Sequence, residues 1–118
     1  MKHLGLVVLL LLAATNVYAA ETAFLASGPT VSLAVTGTTS RVAIALNEYN
    51  PNIRLYNSGT VAVFITCGDV TVVATTAAGM PVAPGTVEVI SCSGTTAYVA
   101  GISAGTAATL YLTPGNGI

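Results

Sequence analysis

Val31-Ser32-Leu33-Ala34-Val35-Thr36 and Arg41-Val42-Ala43-Ile44-Ala45-Leu46 place an apolar side chain at every second residue, with small or polar ones between. That period belongs to a strand with one buried face, because successive side chains leave a strand on opposite sides. An amphipathic helix would repeat its apolar positions every three or four residues, and no such pattern occurs after residue 20. Gly37-Thr38-Thr39 joins the two stretches.

Working outward, 47–52 is the most polar segment and reads as a loop. Residues 53–56 and 60–67 flank Asn57-Ser58-Gly59, which predicts a hairpin because Asn and Gly tolerate positive φ. The second of these strands is apolar on both faces, with Val61, Val63 and Ile65 on one and Ala62 and Phe64 on the other. A central strand covered on both sides has that composition. Gly68-Asp69 ends it; 70–74 reads as a further strand and 75–80 as a connection. Pro81-Val82-Ala83-Pro84-Gly85 predicts a turn. Strands follow at 86–90, 96–102 and 106–112, separated by Ser91-Cys92-Ser93-Gly94 and Ser103-Ala104-Gly105, and 113–118 reads as a turn-rich tail. The pattern is all-β: a small β-sandwich or jelly-roll-like domain of about eight short antiparallel strands.

The N-terminus differs. Lys2 and His3 precede an unbroken apolar run, followed by Val17-Tyr18-Ala19 with small or aliphatic residues where a signal peptidase reads. This predicts a secretory signal over residues 1–19, cut before Ala20, and a single domain over 20–118. The run is shorter than the roughly 20 residues a bilayer span needs, so membrane contact would come only through residues 1–19 if they were retained.

Loss of that segment removes the only Lys and the only His, leaving Arg41 and Arg54 against Glu21, Glu48, Asp69 and Glu88. Two cations cannot neutralise a phosphate backbone, which excludes nucleic acid as a main partner. Serine catalysis needs a base, and the domain has neither imidazole nor amine to supply one. The acids have structural explanations: Asp69 as a turn cap, Glu88 alternating outward between Val87 and Val89, Glu21 in a loose arm. Zinc would want a Cys/His cluster and calcium a dense set of oxygens, whereas the 47–52 loop carries one carboxylate, Glu48. The expectation is no enzyme, no catalytic or metal residues, no cofactor and no small-molecule substrate. A surface so poor in charge is expected to be covered, by a protein assembly or by self-association.

Cys67 and Cys92 both end strands, as Ile65-Thr66-Cys67 and Ile90-Ser91-Cys92. They are a candidate disulfide if the chain is exported, and two buried thiols if it is cytoplasmic. Arg54 either pairs with Glu88 across a sheet or points to solvent. Tyr49, Tyr56, Tyr98 and Tyr111 read as packing at the core's edge rather than a ligand platform.

Ile53-Arg54-Leu55-Tyr56-Asn57-Ser58-Gly59-Thr60, Val63-Phe64-Ile65, Gly68-Asp69, Met80-Pro81-Val82, Pro84-Gly85-Thr86-Val87-Glu88-Val89 and 98–115 together resemble small β-rich structural proteins of tailed bacteriophages. The resemblance implies a non-enzymatic virion component, a capsid decoration or stabilising protein that packs on a lattice as an oligomer. The signal-like N-terminus departs from it, because such heads assemble in the cytoplasm. The alternative is an exported binding or surface-adhesion module, periplasmic or on the cell surface, stapled by Cys67–Cys92.

Overall fold

A computed structural model describes residues 23–92 and 96–118. The predicted signal, its cleavage site and Glu21 lie outside the described residues, as do 93–95 of the turn after Cys92. The described chain is all-β, with nine strands and no helix: β1 (Leu25–Ala26), β2 (Val31–Val35), β3 (Ser40–Ala43), β4 (Asn52–Asn57), β5 (Val63–Gly68), β6 (Met80–Val82), β7 (Val87–Ser91), β8 (Tyr98–Ser103) and β9 (Ala108–Asn116).

Pairing is antiparallel throughout and nested. β2 pairs with β9, β3 with β8, β4 with β7 and β5 with β6, so the chain is one long hairpin rolled on itself. Contacts of β4 with β9 and of β5 with β8 then close two sheets. Sheet A runs β2-β9-β4-β7, with β1 beside the far end of β9, and sheet B runs β3-β8-β5-β6. Strands that follow one another mostly lie in opposite sheets, which is jelly-roll topology. Period-two alternation builds the core. Leu33, Val35, Ile53, Leu55, Leu110 and Leu112 from sheet A meet Val63, Ile65, Val82 and Val99 from sheet B. Each such side chain contributes about 1.5–3 kcal/mol when removed from water.

Several local expectations give way to this topology. Asn57-Ser58-Gly59 is not a hairpin turn, because β4 and β5 belong to different sheets. Asn57 instead ends β4 fully buried. Its Nδ2 donates to Val61 O (2.8 Å) and Val82 O (3.0 Å), and its Oδ1 accepts from Gly59 N (2.9 Å). The amide thus satisfies the backbone where the chain changes sheets. β5 does lie centrally in sheet B, as its apolar faces predict.

Residues 70–74 form no strand. Residues 69–79 make a strap that leaves β5, crosses the outer face of sheet B and returns as β6. Ala74 N donates to Thr39 Oγ1 (2.9 Å) at the start of β3, Val72 packs on Gly68, and Gly79 packs on Phe64. Beneath the strap Ala100, which faces outward beside Arg41 and Thr66, has no exposed surface.

The predicted turn at Pro81 is displaced by two residues. Met80–Val82 is edge strand β6, where proline's missing N–H is harmless. The turn is Ala83-Pro84-Gly85-Thr86, closed by Thr86 N to Ala83 O (3.3 Å), with Gly85 at φ 70°. Proline second and a positive-φ glycine third define type II.

Of the C-terminal segment read as a tail, residues 113–116 belong to β9, the longest strand. Pro114 O accepts from Ser27 N (2.9 Å), so Pro114 faces the side of β9 where β1 and β2 leave a gap. An N–H there would have no strand to meet. Gly115 is required by close approach: a Cβ would run into the Leu25 carbonyl and lie 2.6 Å from Phe24 Cζ.

Candidate functional site

Cys67 and Cys92 are bonded, with Cα atoms 6.3 Å apart. Each lies two residues beyond an inward-facing isoleucine, Ile65 on β5 and Ile90 on β7, so strand alternation aims both into the sandwich. Cys67 belongs to sheet B, and Cys92 follows the edge strand of sheet A. The bridge therefore ties the two sheets together across the core.

The charged groups are dispersed. Arg41 lies on the outer face of sheet B and Arg54 on the outer face of sheet A. Glu48 lies in the turn organised by Asn47, whose Oδ1 accepts from Tyr49 N and Asn50 N (both 2.9 Å). Arg54 and Glu88 do not face each other. Arg54 is opposite Val89, and Glu88 is opposite buried Leu55, on the core-facing side of β7. Val87 and Val89, not Glu88, take the outward positions. Glu88 nonetheless stays exposed, because β7 is an edge strand.

Asp69 is the turn cap its position predicts. Its Oδ1 accepts from Thr71 Oγ1 (2.6 Å) and Thr71 N (2.8 Å) at the start of the strap. The hydroxyl and then the amide stabilise the carboxylate and hold its pKa below the ordinary aspartate value. Among the described residues no group of three or more His, Cys, Asp and Glu side chains is placed to hold a metal ion. Every buried side-chain N or O described has a hydrogen-bond partner.

The outer face of sheet A carries different chemistry. Ser32, Tyr111, Tyr56 and Val87 form one row across it, and Thr113, Arg54 and Val89 the next. The Tyr56 and Tyr111 rings stack with centroids 6.2 Å apart and planes inclined by 17°. Tyr56, Tyr111 and Val87 are 38%, 41% and 44% exposed, so this pair is not the core-edge packing read from the sequence. Alternation carried the signal, since Tyr56 is out of phase with Ile53 and Leu55, and Tyr111 with Leu110 and Leu112. Tyr49 is also exposed, in the 47–50 turn, while Tyr98 is half-buried on sheet B. Among the described residues a strap covers the outer face of sheet B, and no described segment crosses that of sheet A.

The described residues form a small disulfide-stapled jelly-roll sandwich whose sheet A carries an exposed tyrosine pair and a single charged side chain, Arg54, on its outer face. No family model, curated protein or solved structure matches the chain.

Proposed function

We propose that the chain is an exported, non-enzymatic β-module that works by holding a partner against the outer face of sheet A. The observation that carries this reading is the contrast between the two faces, one closed by residues 69–79 and the other presenting Tyr56, Tyr111, Val87 and Val89. Tyrosine supplies large contact area at little conformational cost, and two arginines and few acids leave apolar contact and hydroxyl hydrogen bonds as the means of attachment. The inter-sheet disulfide supports export, since such bonds persist in oxidising compartments.

The test replaces both tyrosines in the full chain and follows its retention at the surface of the producing cell. Y56S/Y111S is expected to fold with the disulfide intact but to be released into the medium. Retention equal to the parent protein would refute the reading.

The second reading is a virion component, a capsid decoration protein. The nested jelly-roll pairing favours it, because capsid proteins use that architecture. Mass spectrometry separates the two. Export gives a chain starting at Ala20 with the bridge formed; a cytoplasmic virion part keeps Met1 and free thiols and co-sediments with particles.

A further inference from the structure

We infer that β2 is a self-pairing edge, through which two copies of this chain join sheet A to sheet A about a two-fold axis at Leu33. Among the described residues the sandwich has four principal edge strands, and three carry features that discourage strand addition. β7 carries Glu88 on its core-facing side, β6 is three residues long and contains Pro81, and β3 carries Arg41. β2 has none of these. Its five residues lack charge and proline, and no charged residue occurs between Glu21 and Arg41.

The backbone of β2 presents the groups such pairing needs. Ala34 O accepts from Ser40 Oγ (3.0 Å), which lies on β3, so this carbonyl points away from β9. The opposite residue, Thr109, directs its own carbonyl to Ser58 N (3.0 Å) on the β4 side. Ala34 and Thr109 are therefore a pair that shares no backbone bond, and by alternation so are Ser32 and Tyr111. The N–H and C=O groups of Ser32 and the N–H of Ala34 face away from β9, toward the edge that no other described strand pairs with. The Ala34 carbonyl retains a second lone pair.

The sequence of β2 identifies the occupant. Val31-Ser32-Leu33-Ala34-Val35 reads the same in both directions by size: valine, small, leucine, small, valine. Antiparallel pairing about Leu33 puts Val31 opposite Val35 of the second copy, and Ser32 opposite Ala34 of the second copy. Those small residues are the ones whose backbone groups face the edge, so each Ser32–Ala34 pair exchanges two hydrogen bonds. Every position meets a residue of matching size, as an isologous interface requires. An apolar cleft of ≈ 280 Å³, lined by Pro29, Val31, Ala43, Ile44, Ala45 and Pro114, opens on this same edge. The second copy's chain beyond its Val35 runs past Pro29 and over the cleft mouth.

The test is a charge swap on outward side chains that carry no core packing. The full chain is expected to sediment at twice its monomer mass, with slowed hydrogen exchange at the Ser32 and Ala34 amides on raising protein concentration. S32K/A34K places lysines opposite lysines and is expected to run as a folded monomer by circular dichroism and sedimentation. Mixing it with S32E/A34E is expected to restore the dimer mass. A parent chain that stays monomeric at millimolar concentration would overturn the inference. So would a dimer that S32K/A34K leaves intact, or charge-swapped chains that fail to pair when each is folded.

Discussion

Replacing Asn57 tests the claim that one buried amide holds the crossing between the sheets. Asn57 has no exposed surface and makes three side-chain bonds, to Val61 O, Val82 O and Gly59 N. In Asn57→Ala all three vanish. Each is worth about 1 kcal/mol net, and leaving a buried partner unpaired adds to that, so a loss of about 3–5 kcal/mol is expected. That is a large part of the 5–15 kcal/mol typical of a small domain. With a urea m-value of about 1 kcal/mol/M, the unfolding midpoint falls by about 3 M or more.

Asn57→Asp sharpens the test, because it conserves volume and the acceptor for Gly59 but aims a carboxylate oxygen at two carbonyls. Burial and those oxygens favour the protonated form, which raises the carboxyl's folded-state pKa above its unfolded value of about 3.9. The folded state then binds more protons than the unfolded state between the two pKa values, so stability falls as pH rises through that window. The slope is at most about 1.4 kcal/mol per pH unit. The parent is a quiet background, since its whole sequence contains one His, one Lys and four Asp and Glu side chains. Urea unfolding at pH 4 and pH 7 should show the Asp variant far more stable at the lower pH. A cost below about 1 kcal/mol for Asn57→Ala, or an Asp variant no more pH-dependent than the parent, would refute the argument.

Three further outcomes are expected. Reducing Cys67–Cys92, or C67S/C92S, releases a 25-residue separation and costs about 3.5 kcal/mol in the chain-entropy model. Calorimetry with and without reductant should show a Tm lower by roughly 15–25 °C. The Thr71 amide resonance should move as pH falls through the depressed Asp69 pKa, because the cap is present above the usual aspartate range and lost as the carboxylate protonates; Asp69→Asn should abolish that titration. Gly115→Ala should displace β1 from β9, seen as fast exchange of the Ser27 amide, while the core amides of Leu55 and Leu112 stay protected.

What the sequence made legible follows the range of the interaction responsible. Alternation in 31–36 and 41–46 specified an all-β fold because burial acts residue by residue, and the same phase aims Cys67 and Cys92 inward behind Ile65 and Ile90. The phase also put Tyr56 and Tyr111 outward, although aromatic side chains taken alone suggested packing. Turn chemistry misled where a distant partner intervened. Asn57-Ser58-Gly59 has every local feature of a hairpin, yet its amide is claimed by Val82, twenty-five residues away. Thr113-Pro114-Gly115 has every feature of a tail, yet proline fits a strand wherever its neighbour is interrupted. Glycine there admits the Leu25 carbonyl, which nothing nearby in sequence announces. The strap over sheet B was hidden for a related reason. Val70, Val72 and Ala74 alternate as a strand would, but β8 already lies between β3 and β5, so the segment crosses over the sheet rather than joining it. Among the described residues that crossing covers the outer face of sheet B and none covers that of sheet A, so the contrast between the two faces is decided by which segment the topology excludes.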